Sequence, residues 1–461
     1  MTFHAIGWIF ATSAKITLLL STLSASPADS TEVPRVDTLP SSSVLALLPE
    51  GEEKRRFILD CTGCHQIDPA RAFPGGASRS ASEWSAIVDR MNSMAGATTG
   101  FPVISEYRDA EGTASWLTQF LRDASALRAP TTATSIAKGR AVVREYLVSH
   151  ASDLPHDVAI DSSGRVVITG MFSHRIMVLD TGGGQVTHVD IPIPNANPRA
   201  VEVDKAGRWW VVLGGPRRIA RYSPESTADK WTVFDAGMYV HSVALAPDGN
   251  AWVNGHFTRE PELIARVDTT GRAVESVPLP LHPTMSKIAG GPVPYEVRVA
   301  PNGVVWMSEL QGNRLIGYDP ATRKSEVIDM PTPFSGPRRF DIDRQGILWV
   351  PAYAGNALVR IDPSSSGSRR SQQFALPMND AVPYVARVDE RRNAIWIGSS
   401  AASVVFRFDR ATSQFTTYDL PSSGAMVRHM VIDPRNGDVW LAYGASPGIP
   451  ARVARLRALN E

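Results

Sequence analysis

The chain has 461 residues, with 47 lysines and arginines against 46 aspartates and glutamates and a net charge of +1. That length exceeds one ordinary domain and suffices for two or three. So balanced a charge, without a long basic run, excludes a nucleic-acid footprint, and 35 glycines with 34 prolines favour many turns over long helices.

Residues 1–28 have the layout of a secretory signal peptide. Lys15 precedes the apolar run from Ile16 to Leu23, and small residues with Ser26-Pro27-Ala28 follow. No other stretch has the roughly 18 apolar residues a membrane span needs. A linker is expected over 29–47, and the mature chain is expected in the periplasm or outside the cell.

The next segment, 48–126, contains both cysteines of the chain, in Cys61-Thr62-Gly63-Cys64-His65. A structural zinc site wants about four ligands, and no second cysteine or histidine pair is available to complete one. A redox dithiol usually sits in a strand–turn–helix setting, whereas Gly51 to Leu59 has the pattern of a short helix. Cys-x-x-Cys-His is the attachment pattern of c-type haem. The thiols of Cys61 and Cys64 would bond the vinyl groups of one covalent haem, and His65 would ligate its iron. Haem attachment outside the cytoplasm agrees with the signal peptide.

Ser80 and Glu83 form a capping-box pattern, ahead of a helix that carries Trp84, Ile87, Val88, Met91 and Met94 on one face. The segment resembles small mono-haem cytochromes c in which a Trp-bearing helix ends in an Arg-Met pair followed by a glycine. That resemblance implies Met91 as the distal iron ligand, with Met94 as the alternate. A methionine thioether on the iron suits electron transfer. Residues 109–124 have the pattern of a closing helix, with Trp116, Leu117, Phe120 and Leu121 on one side, and 127–140 that of a second linker.

From Pro155 the chain repeats. Units begin at residues 155, 198, 240, 294, 337, 383 and 427, spaced by 43, 42, 54, 43, 46 and 44 residues. Each has an alternating strand, a turn rich in Asp, Asn and Gly, a second strand and two more. Four strands per period of about 40–45 residues predicts a propeller blade. The fold class is therefore mainly β: a seven-bladed β-propeller over 141–461 with a small all-α cytochrome c domain ahead of it. Trp210, Trp252, Trp306, Trp349, Trp396 and Trp440 recur at one position of the second strand, where the first unit has Val167, and are expected to pack between blades. The last unit lacks an outer strand, and AVVREYLVS at 141–149 is expected to supply it, closing the ring.

The repeat pattern with Asn313-Arg314-Leu315-Ile316-Gly317-Tyr318-Asp319-Pro320 resembles the virginiamycin B lyase (streptogramin lyase) propellers over about 150–461. That resemblance implies a magnesium ion and a catalytic histidine on the propeller face where the first strand starts and the second ends. Glu309 matches the acidic position and is the possible magnesium ligand. Tyr295 stands where the family has its histidine, and His156 and His241 hold the equivalent position in other blades. These three are the catalytic candidates. The seven strand starts are His156, Arg199, His241, Tyr295, Arg338, Tyr384 and Arg428. Three arginines at one mouth predict an anionic ligand, because the guanidinium fork matches carboxylates and phosphates. Arg199, Arg338, Arg428 and Tyr384 are the substrate-binding candidates. Three functions follow as expectations. The first is a periplasmic electron-transfer or oxidoreductase protein whose propeller takes a small anionic molecule or a redox protein. The others are a carbon–oxygen lyase with an accessory haem, and a non-enzymatic binding or sensor module.

Overall fold

The computed structural model describes residues 39–93, 108–130, 137–256, 262–268, 274–285, 291–444 and 451–459. The signal peptide at 1–28 and the alternate ligand Met94 lie outside them. From residue 39 onward the chain belongs to one compact unit. Five α-helices come first: α1 Ser42–Leu45, α2 Glu52–Cys61, α3 Pro69–Ala72, α4 Ala81–Ser93 and α5 Ala110–Phe120. No helix among the described residues is long and apolar enough to cross a membrane.

Seven antiparallel sheets follow, each built on four strands. Blade one, for example, is Pro155–Ile160, Val166–Gly170, Arg175–Leu179 and Val186–Asp190. The tight turn between the first two strands needs a left-handed residue. Gly164, Gly207, Gly249, Gly303, Gly346 and Gly437 supply it at φ 76° to 88°, and Asn393 does so in blade six at φ 52°. Each recurrent tryptophan lies in a core shared with the next blade. Trp210 packs with Val240 and Val253, Trp252 with Val297 and Met307, and Trp440 with Val158 and Ile168. Burying an indole this way contributes about 5 kcal/mol. Several of these indoles also bond the aspartate of their own turn, as in Trp210 Nε1–H to Asp204 at 3.0 Å and Trp349 Nε1–H to Asp343 at 2.9 Å. The ring closes as expected. Ala141–Leu147 pairs antiparallel with Arg452–Ala458, completing blade seven from the two ends of the propeller.

Two expectations change at the N-terminal side. Part of the expected linker is α1, with Val44 and Leu45 wholly buried and the Ser42 amide bonded to Ala401 O at 2.9 Å. Nor do the helices form a core of their own. Leu45, Phe57, Ile58, Leu59, Trp84, Leu117 and Leu121 share one cluster with Tyr295, Leu310, Tyr353, Tyr384 and Val427 of the propeller. Helices this short bury too little apolar area to stand alone, so the face of α2 that would otherwise be wet is covered by the ring. Leu59 lies directly over Gly336, where an added Cβ would come within 2.2 Å of it. Within the second expected linker, Ala137–Lys138 adds a short parallel strand to the edge of blade six.

Candidate functional site

The first strand of a blade lines the central channel. In blades one to four its register with the second strand shifts just after the start, for example between Pro155 and Val158. Such a bulge sets two residues opposite one. In these blades both residues at the start thus reach the channel region, where one per blade was expected. The first of each pair makes an outer layer, comprising His156, Arg199, His241, Tyr295, Arg338, Tyr384 and Arg428. The second makes a deeper layer that includes Asp157, Glu296, Arg339 and His429.

The deeper layer is a closed charge network. Arg339 donates to Asp157 at 2.8 Å and lies 3.6 Å from Glu296. Glu296 also takes Arg298 at 2.7 Å and Arg387 at 3.3 Å. Arg387 donates to His429 Nε2 at 2.7 Å, and Arg298 reaches Glu202 at 2.9 Å. Burial opposes charge on Asp157, but Arg339, His429 and His156 outweigh it and hold the carboxyl well below its usual range. Residue-by-residue reading of the sequence missed Asp157, Glu296, Arg339, Arg387 and His429. The signal was present, since polar residues recur one place after the strand start in five of seven units: Asp157, Ser242, Glu296, Arg339 and His429.

In the outer layer, the His156 Nδ1–H donates to Asp157 at 2.8 Å, and burial lowers its pKa to about 3. The His241 ring lies 5.4 Å from that of His156, 4.2 Å from His256 and 4.5 Å from Tyr295. His256, one residue past the end of its strand, was not among the sequence candidates. The Tyr295 and Tyr384 hydroxyls are bonded to each other. Burial alone would raise the Tyr384 phenol, but Arg338, Arg428 and Arg339 hold it at about 8. Arg338 is wholly buried, with its carbon centre 3.9 Å from the Tyr384 ring, 4.1 Å from Tyr353 and 4.6 Å from Tyr295. Arg199 lies over Tyr239 at 5.4 Å and donates through Nε to Asn197 at 3.1 Å.

Glu309, the expected magnesium ligand, is committed elsewhere. It is fully buried and forked by Arg314, whose Nε and Nη2 both donate to it, the latter at 3.1 Å. Arg314 lies five residues on, directly opposite in the neighbouring strand. Among the described residues no group of three or more potential ligands stands together.

The mouth is covered by the cysteine-bearing loop. Arg428, expected to bind substrate, donates to the carbonyls of Gly63, at 3.4 Å, and Cys64. The Tyr353 hydroxyl bonds Thr62 Oγ1 and Thr62 O, both at 2.8 Å, and accepts from Gln66 Nε2 at 3.1 Å. Gln66 reaches Ser400 at 3.1 Å, Gln311 donates to Asp60 at 3.1 Å, and Lys54 pairs with Asp380 at 2.6 Å.

Cys61 ends α2, and both cysteines are free thiols with some surface exposed. Burial pushes the Cys61 thiol up to about 12 and raises Cys64 as well. A reactive dithiol needs a lowered pKa, so the redox-dithiol alternative fits poorly. The residues fit a haem better. His65 Nδ1 lies 3.1 Å from Gln66 O, which fixes the donor on that nitrogen and leaves the Nε2 lone pair for a metal. On α4 the capping box is formed, with the Ser80 amide donating to Glu83 at 2.8 Å and the Glu83 amide to Ser80 Oγ at 3.3 Å. Met91 is half-buried on that helix. Trp84 Nε1 and Asn92 Oδ1, also on α4, are buried polar atoms without a partner among the described residues.

No protein-family model matches the chain, and no curated protein matches it. Solved structures do. The ring is similar to a virginiamycin B lyase from Staphylococcus aureus, 18% identical over 69% of this chain and 100% of that one, with a TM-score of 0.59. It is similar in the same measure to a streptogramin B lyase, 18% identical with a TM-score of 0.59, covering 69% of this chain and 98% of that one. It also resembles hydrazine synthase of Kuenenia stuttgartiensis, 13% identical with a TM-score of 0.52, over 68% of this chain and 97% of that one. The propeller is a virginiamycin B lyase-like seven-bladed ring. At such identities the likeness concerns the fold alone.

Proposed function

We propose that this protein is a periplasmic c-type haem protein that moves single electrons, with its propeller as the substrate or redox-partner side. The observation that carries this reading is the seating of the Cys61–His65 loop on the channel mouth, where Arg428 holds the Gly63 and Cys64 carbonyls and Tyr353 holds Thr62. Cys61 and Cys64 would hold the haem covalently, and His65 Nε2 and Met91 would ligate its iron. The haem would supply one-electron exchange. The chain's own residues do the rest. Gln66 sets the His65 tautomer, and the ring excludes water from beneath the loop. The mouth arginines favour an anionic ligand or an acidic partner surface there. The same ring serves a lyase and a synthase among its structural neighbours, so the fold does not select the chemistry. A lyase assignment would need Glu309 for a metal, and Arg314 already neutralises it.

The test is covalent attachment. Protein made with haem-maturation machinery should carry one haem per chain and keep it through denaturation and acid–acetone extraction. Colour that passes into acetone, or attachment that survives Cys61→Ala unchanged, would overturn the proposal.

A further inference from the structure

The mouth beneath Cys64 contains a cation that its surroundings do not balance. Arg338 is 0% exposed, and none of its three guanidinium nitrogens has a hydrogen-bond partner among the described residues. Its guanidinium carbon lies over the rings of Tyr295, Tyr353 and Tyr384. Ring faces stabilise the charge but accept none of its in-plane N–H bonds. The Tyr353 hydroxyl is taken by the loop, and the Tyr295 hydroxyl, which lies near Arg338 without meeting hydrogen-bond geometry, is bonded to Tyr384. A buried ion left in this condition is costly.

No acid of the deeper layer is free to approach. Asp157 is taken by Arg339 and His156, and Glu296 by Arg298, Arg387 and Arg339. Two more arginines share the outer layer: Arg428 lies 5.8 Å from the Tyr384 ring that Arg338 also approaches, and Arg199 lies over Tyr239 at 5.4 Å. The Arg338 donors are thus left without an acceptor among the described residues.

We propose that this mouth binds one small planar anion, a carboxylate or an oxyanion, clasped edge-on by the Arg338 guanidinium with Arg199 on the same mouth. The guanidinium fork matches two coplanar oxygens. A spherical ion or a bulky phosphate ester fits that edge poorly. Binding does not depend on haem; under the proposed function the site lies beneath the Cys61–His65 loop that would carry it.

The experiment uses the full haem-loaded chain, titrated calorimetrically with sodium acetate and with sodium nitrate at constant ionic strength set by chloride. One saturable site that acetate and nitrate compete for is expected. Arg338→Gln should weaken it roughly thirtyfold or more, and Arg338→Lys, which keeps the charge without the fork, should also weaken it. Should Arg338→Gln fail to fold, the unmodified protein still decides. Its Tm should rise with acetate as one-site linkage requires, and should not rise with equivalent chloride. Equal effects of acetate and chloride, or unchanged binding in the folded Arg338→Lys variant, would overturn the site. A chain that carries haem but binds neither probe refutes this site and leaves the haem reading standing. A chain without covalent haem that still binds acetate does the reverse.

Discussion

Tyr353→Phe tests whether the helical segment and the ring are one folding unit. The substitution removes a single oxygen and keeps the ring that covers Arg338. That oxygen bonds Thr62 Oγ1 and Thr62 O at 2.8 Å and Gln66 Nε2 at 3.1 Å. None of these groups would be left bare. Thr62 Oγ1 still donates to Ile58 O at 2.7 Å, and Gln66 Nε2 still reaches Thr62 O at 3.2 Å and Ser400 at 3.1 Å. The full penalty for an orphaned buried group therefore does not apply, and the net value of the lost bonds sums to about 1–2 kcal/mol. In urea the midpoint should fall with an unchanged slope, because the same surface is exposed when one shared core unfolds. A double-mutant cycle with Gln66→Leu should return a coupling of about 1 kcal/mol. An unchanged midpoint, or loss of the helices in a separate earlier transition that Tyr353→Phe does not move, would refute the docking of the loop on the mouth.

Other consequences are equally accessible. Glu145 of the closing strand accepts from Arg452 and Ser422, each at 2.9 Å, and from Tyr443, so Glu145→Ala should cost about 3 kcal/mol in chemical denaturation. His156 is held neutral by burial, with a folded pKa of about 3 against the ordinary 6.5, so the unfolded chain binds more protons and stability is lost as pH falls below 6.5. His156→Gln should remove that contribution. Between pH 6.5 and 4 its stability should fall less steeply than that of the parent, by up to about 1.4 kcal/mol per pH unit; parallel curves would refute this. Met91→Ala should abolish the sulfur-to-iron charge-transfer band of the haem-loaded protein and lower its potential, whereas an unchanged spectrum would remove Met91 from the iron.

The sequence by itself determined the ring, because a propeller is specified by local, repeated signals. Alternation marks the strands, glycine or asparagine marks each left-handed turn, and a tryptophan at a fixed offset marks each seam. Even the closure by 141–149 was legible, since a final unit short of one strand needs a partner. The Cys61–His65 pattern and the capping box at Ser80 and Glu83 are likewise written in a few adjacent residues. Tertiary structure decided the rest, through contacts between residues hundreds of positions apart. Nothing near Arg428 announces that its guanidinium will hold the carbonyl of Cys64. Glu309 looked available because the strand that brings Arg314 across from it is a matter of register, not of motif. The bulge that turns one channel residue per blade into two shifts a backbone by a single place, and periodicity alone does not reveal it. The helices were expected to stand apart because their amphipathic pattern shows that a face must be covered. Only the packed structure shows that Tyr353, Leu310 and Gly336 of the propeller help to cover it.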